Sequence, residues 1–458
     1  MVGLPTGGGV SDILVEDPTL TRRKEWGHMA RGIFSEGPGT AAVDGGGSPT
    51  RGTHADTARA HKGTRYTRKG FMTLAASAGA GGLLLGGLAG RRATAHEGIP
   101  AYITNALEHQ TYDMYTEWFA WLRRAGAKGY MGEHSVPNSQ KPWPASEVQK
   151  WLGLFDKVYR ILDANVDVIR AVSAHGATYS SGGEGFQIYG PDRTYVPLGD
   201  RNFARAREQA AVLESHLPFS GSGMRGINTS SGNVTQRGFS AASPGTYGQT
   251  YVYPDRADFA YLRGRGLNLT RIPFRWERVQ PQLNKPLNSV ELDRFRKCFD
   301  DAAAVGMRII PNIHNSKGRY IFSAGNEGIL GSTAVPISAY KDLWVRLAAA
   351  WNGHPAIAGY DIMNEPSFLP GGIPTWEQAS QAAVDGIRSL GAQKRIWVCG
   401  YNTRAGYSNN LFCFVANHPR AWITGTNVGY TCHVYYGPGT GYKLTYDEAV
   451  AYWKSRGY

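Results

Sequence analysis

Two places in this sequence set a carboxylate at the end of an apolar run and then stop at a proline. One is Ile357-Ala358-Gly359-Tyr360-Asp361-Ile362-Met363-Asn364-Glu365-Pro366, where an amide and a carboxylate stand side by side. The other is Gly129-Tyr130-Met131-Gly132-Glu133-His134-Ser135-Val136-Pro137. A buried strand has no structural use for such groups at its end, and proline stops the ladder because it lacks an N–H. In a parallel α/β barrel, catalytic groups sit at the carboxyl ends of the strands. The plainer reading is an ordinary strand-to-loop exit whose polar residues meet water, and one short motif does not separate the two.

The elements that would carry these residues alternate along the chain. Apolar runs at 224–228, 267–274, 307–314, 357–364, 395–400 and 429–435 read as strands. Helical patterns lie between them, clearest at 289–305 and 338–352. Ahead of these, helical patterns at about 103–126, 146–162 and 202–215 enclose strands at 129–133 and 166–174. Strands alternating with helices imply a parallel sheet. Six later strands and two earlier ones make the eight that close a (β/α)8 barrel.

Composition sets bounds on the partners. With 458 residues, 42% of them hydrophobic and 12% aromatic, the chain can bury one large barrel core plus extensions. The formal charge of +13 could point to nucleic acid. There is, however, no Lys/Arg run longer than Arg22-Arg23-Lys24 and no zinc-finger or RNA-recognition motif, so no nucleic-acid partner is expected. Cys298, Cys399, Cys413 and Cys432 show no CxxC spacing, which argues against a zinc or thioredoxin-type site. Cys399 and Cys432 fall on neighbouring expected strands, and the sequence leaves their pairing open.

Residues 1–65 are rich in Gly, Thr, Ala and Arg without sustained periodicity and read as a disordered extension. Residues 66–95 carry Arg68-Lys69 before Gly70-Phe71-Met72, a mild apolar centre, and the ending Ala93-Thr94-Ala95. That is the layout of an export signal, similar to a twin-arginine signal with lysine in second place. A membrane anchor is the alternative, since about twenty residues could span a bilayer. A high glycine content favours cleavage after Ala95, which would leave a secreted protein without stable membrane association.

Several motifs together resemble glycoside hydrolase family 5, the cellulase-like barrels. They are Arg225-Gly226-Ile227-Asn228, then Arg271-Ile272-Pro273-Phe274-Arg275-Trp276-Glu277-Arg278-Val279-Gln280-Pro281. His314-Asn315 with Gly318-Arg319-Tyr320 follows, then Met363-Asn364-Glu365-Pro366 and His433-Val434-Tyr435. They cover about 224–437 in family order, as the family's strands one to four and six. The resemblance also requires a second glutamate on strand seven, and nothing after 435 supplies it. Residues 128–137 look like that strand, displaced to the front. The chain therefore reads as a circular permutation in strand order 7-8-1-2-3-4-5-6. Strands seven and eight would lie in 96–200, strands one to six in 224–458, and the barrel domain would be 96–458. Permutation costs little in a closed barrel, whose first and last strands are neighbours. The new ends would fall where Tyr446-Asp447 and Tyr112-Asp113 begin helical stretches.

The resemblance implies a retaining β-glycoside hydrolase, with an endo-β-1,4-glucanase as the nearest type and a β-linked polysaccharide as substrate. Glu133 would be the nucleophile and Glu365 the acid/base, about 5–5.5 Å apart. Asn364 would hold the sugar 2-hydroxyl, Tyr435 would touch the nucleophile, and Arg271 would keep Glu133 ionised. His314 and His433 would line the same subsite. The two carboxylates supply the chemistry, so neither metal nor cofactor is expected. Asn312 stands where many relatives carry aspartate, and the end of strand eight, through His175 and Gly176, lacks the usual tryptophan. Trp143 or Trp376 could replace it. Three alternatives remain: a carbohydrate-binding barrel without activity, a β-mannanase or other β-glycanase, and a fused remnant of a neighbouring gene at 96–200.

Overall fold

The computed structural model describes residues 98–139, 143–178, 186–190, 205–217, 223–230, 232–403, 411–437 and 442–458. The expected extension at 1–65 and the export signal at 66–95 lie outside the described residues. Ala101–Tyr458 forms one compact unit.

Eight parallel strands close the barrel. They are β1 (Lys128–Ser135), β2 (Ile169–Thr178), β3 (Met224–Ser230), β4 (Leu269–Phe274), β5 (Arg308–Ile313), β6 (Gly359–Asp361), β7 (Arg395–Cys399) and β8 (Val428–Tyr435). Each pairs with the next in the chain, and β8 pairs with β1. Lys128 registers with Gly429, and Ala171 with Met224. Segments 129–133 and 166–174 thus supply the two strands that the six later ones lack. Strand β6 is shorter than the expected 357–364. Beyond Asp361 the chain keeps contact through single bonds, Ile362 N to Trp397 O at 3.1 Å and Asn364 N to Ile313 O at 2.8 Å.

The helices of seven or more residues are α1 (Ala106–Arg124), α2 (Ala145–Asp163), α3 (Glu208–Ser215), α4 (Arg256–Gly264), α5 (Ser289–Ala304), α6 (Ile337–Trp351), α7 (Ile373–Arg388), α8 (Leu411–Asn417) and α9 (Tyr446–Lys454). Sequence periodicity explains them. In α2, Trp151, Phe155, Val158, Tyr159 and Leu162 recur at helical spacing, and all are buried. Asn105 caps α1, its side chain accepting from Leu107 N and Glu108 N. Tyr112-Asp113 therefore lies inside α1 rather than at its start, because the cap is seven residues earlier. Tyr446 does open α9, behind a capping box made by Thr445 and Glu448. Helices α9 and α1 meet where Tyr446 Oη donates to Glu108 Oε1 at 2.8 Å.

A core cluster draws Tyr130, Ala171, Leu269, Ile310 and Trp397 from five of the strands. It fills the region below the carboxyl ends, where the polar groups collect. Cys399 and Cys432 do lie on adjacent strands, but all four cysteines are buried free thiols. Among the described residues, no helix is long and apolar enough to cross a membrane.

Candidate active site

The site is built at the carboxyl ends of β1, β4, β6 and β8. Strand β1 carries one extra residue, Gly132, between the pairs Met131–Cys432 and Glu133–His433. A bulge of this kind re-aims the side chain that follows it. Here it brings Glu133 level with His433. Only glycine fits, since a Cβ at 132 would stand 2.5 Å from Thr431 Oγ1 and 3.0 Å from His433 Nε2. Asn228 fixes the bulge by donating to Gly132 O at 3.0 Å.

Arg271, on β4, is fully buried and links three groups. Its Nε donates to Asp361 Oδ2 at 2.7 Å, its Nη2 to Asn364 Oδ1 at 2.9 Å, and its Nη1 reaches Glu133 Oε2 at 3.4 Å. Tyr435 Oη donates to Glu133 Oε1. The ring of His433 lies between the carboxylates, its Nδ1 2.9 Å from Glu365 Oε1 and 3.8 Å from Glu133 Oε2. Glu365 has φ +42°, a left-handed conformation that costs a non-glycine residue about 1–3 kcal/mol and tends to occur at functional sites.

Burial alone would raise the carboxyl pKa of Glu133. The positive groups of His175, His433 and Arg271 outweigh it and hold that carboxyl well below the usual carboxylate range. Asp361 goes the other way: burial raises it, against the opposing pull of Arg271 and His433.

Glu133, Glu365, Asn364, Arg271, His433 and Tyr435 thus form one bonded cluster. His314 joins at one remove. Its Nδ1 is 3.1 Å from Asn312 Oδ1, and Asn312 Nδ2 donates to Asp361 O at 3.3 Å. Trp376 is no sugar floor, because it is fully buried and donates to Cys399 O at 2.8 Å. Trp143 stacks on Trp151 at 6.1 Å. Two members of the site escaped the sequence reading. Asp361 is the buried partner of Arg271, and its only signal was a carboxylate inside an apolar strand. His175 lies with Nδ1 3.2 Å from Glu133 Oε1 and its ring edge-on to Tyr435. Its signal was a histidine at a strand end beside Gly176, whose φ is +105°.

An oxygen of Glu133, an oxygen of Glu365 and a nitrogen of His433 lie within 4.8 Å of one another. One divalent cation would fit that spacing, but it would have to displace bonds these atoms already make. As arranged, one carboxylate is held ionised while its neighbour is bonded to an imidazole. Two carboxyls this close can attack and protonate at a single acetal carbon.

A family model described as cellulase (glycosyl hydrolase family 5) matches residues 225–454. The chain is 29% identical over 195 residues to the manganese dependent endoglucanase Eg5A of Phanerodontia chrysosporium, covering 42% of this chain and 48% of that one. It is 29% identical over 150 residues to a probable endo-beta-1,4-glucanase B of Neosartorya fischeri, with coverages of 32% and 42%. The chain thus spans about half the length of the curated relatives it matches. Endoglucanase Cel5A of Pseudomonas stutzeri, solved in complex with cellobiose, is 34% identical with a TM-score of 0.39, covering 47% of this chain and 60% of that one.

Proposed function

Because the chain belongs to the cellulase family, glycosyl hydrolase family 5, we propose that it is a retaining β-glycanase whose substrate is a β-1,4-linked glucan. An oxygen of Glu133 attacks the anomeric carbon while Glu365 gives its proton to the glycosidic oxygen. The leaving chain departs as an alcohol, and the sugar stays bound to Glu133 as an ester. Water then attacks the same carbon, Glu365 takes its proton, and Glu133 leaves as carboxylate. Two inversions give net retention. Arg271 and Tyr435 keep Glu133 charged and aimed, and Asn364, fixed by Arg271, offers its amide to the 2-hydroxyl. His433 orients Glu365, and His314 contacts sugar at the rim. The carboxylates supply acid, base and nucleophile, so no step is assigned to a metal.

The observation that carries this reading is the approach of Glu133 and Glu365 oxygens to within 4.8 Å. That spacing suits retention, since inverting enzymes hold the pair about 6.5–9.5 Å apart to admit a water. The full chain should release reducing sugar from soluble β-glucan, and Glu133→Gln should abolish turnover while leaving folding intact. Azide added to Glu133→Ala should restore cleavage and yield a glycosyl azide of inverted configuration. Full activity in Glu133→Gln would refute the assignment, and an inert wild-type chain that still binds glucan would favour the binding-barrel reading.

Two further readings belong with this one. The family match begins at Arg225, inside β3, which supports a circularly permuted domain with β1 and β2 as the family's last two strands. Residues 66–95 support export, and hence a secreted enzyme that meets its polysaccharide outside the cell.

A further inference from the structure

We infer that Phe368 and Lys317 form a binding site for the glucosyl unit on the leaving-group side of the bond cut. This subsite rests on the glycanase reading above. Phe368 is 50% exposed, and no other Phe, Tyr or Trp among the described residues is classed as exposed. It stands between buried Ser367 and buried Leu369, three residues past Glu365. Folding therefore leaves this ring open while it buries both neighbours.

The loop that presents the ring is tied down on either side. Asn402 N donates to Pro366 O at 2.8 Å, Leu369 N to Tyr401 Oη at 2.9 Å, and Gly372 N to Leu369 O at 2.9 Å. Phe368 itself has φ +55°, a conformation a bulky residue avoids unless its surroundings impose it. From the loop after the adjacent strand β5, Lys317 sets its ammonium 5.1 Å from the Phe368 ring centroid. Lys317 also has a left-handed backbone, φ +64°.

Topology gives the direction. Strand β5 is the fourth from β1 in either sense round the ring, so its loop lies opposite the strand that carries Glu133. Glu365 protonates the oxygen of the departing chain, so that chain leaves on the side of Glu365 away from Glu133. The loop after β5 lies opposite β1 and the loop after β6 adjoins it, which puts Lys317 and Phe368 on that side. A β-linked glucosyl ring offers axial C–H groups to the electron-rich face of an aromatic ring, and an ammonium beside it can donate to sugar hydroxyls. A short apolar side chain would lack that face, and a lone surface aromatic would lack the cation.

The test uses the full chain and two substrates. Cellotetraose fills both sides of the cut, whereas β-cellobiosyl fluoride transfers its cellobiosyl unit, loses only a fluoride ion and leaves the far side empty. Phe368→Ala should lower the ratio of kcat/KM on cellotetraose to kcat/KM on the fluoride by about tenfold, the size of one lost aromatic contact. Phe368→Trp should restore the ratio, and Lys317→Met should lower it in part. An equal loss on both substrates, or no change in the ratio, would overturn the subsite. A wild-type chain inert toward both would overturn the glycanase reading itself.

Discussion

At the scale of residues, the site works by charge imbalance around Glu133. Two histidine rings, His175 and His433, and the Arg271 guanidinium face one carboxylate whose burial alone would raise its pKa. Two of them, Arg271 and His433, were legible as motif residues. His175 was not, because its role depends on where strand β2 stops relative to β1, and a sequence fixes strand identity better than register. Its contribution has a sign that can be checked. A carboxyl with a depressed folded pKa adds stability above its unfolded value of about 4.3. That stability is lost as pH falls through the folded value. His175→Ala removes a positive neighbour, so the Glu133 pKa should rise and the acidic limb of kcat/KM should move to higher pH. The loss of stability on acidification should start at the same unfolded value, be smaller in total and be complete at higher pH. A pH–rate profile and urea midpoints across pH 3–7 would read both. An unmoved acidic limb would make His175 a packing residue only.

At the scale of elements, the least visible device is the bulge in β1. The sequence showed a glycine before Glu133, but its necessity appears only when β1 and β8 are laid side by side. Without the extra residue, Glu133 would fall on the wrong face, since strand side chains alternate. Gly132→Ala would press a methyl group against Thr431 and His433. Overpacking of this kind costs about 1–3 kcal/mol, and a misplacement near 1 Å can cost about 100-fold in rate. The variant should therefore fold with a lowered denaturation midpoint and a disproportionately lowered kcat. An unchanged kcat would mean the bulge does not aim Glu133. The same limit on register explains Asn312. Read alone it is a departure from the family, but Asp361 on the adjoining strand already supplies the carboxylate that Arg271 needs.

At the scale of the whole molecule, the alternation of strands and helices was legible early, because each element has a strong period and a turn at its end. What could not be read was the fit of the two ends of the barrel unit, which depends on contacts such as Asn105 Nδ2 to Tyr446 Oη at 3.0 Å, 341 positions apart. That closeness makes permutation testable in reverse. A chain running from Gly223 to Tyr458, through a flexible linker of about ten residues, and on from Ala101 to Leu217 should fold and keep its activity. Loss of cooperative unfolding in that chain would show that the present order of segments is needed for folding. The order also bears on how the molecule is made. Glu133 and the Tyr435 that bonds to it are 302 positions apart. At synthesis rates of roughly 5–20 residues per second, about 15–60 s separate their emergence from the ribosome. For that interval Glu133, the proposed nucleophile, exists without β8, and with it lacks both His433 and Tyr435. On the glycanase reading, the unfinished chain is chemically silent, and the proposed reaction centre is among the last things its synthesis completes.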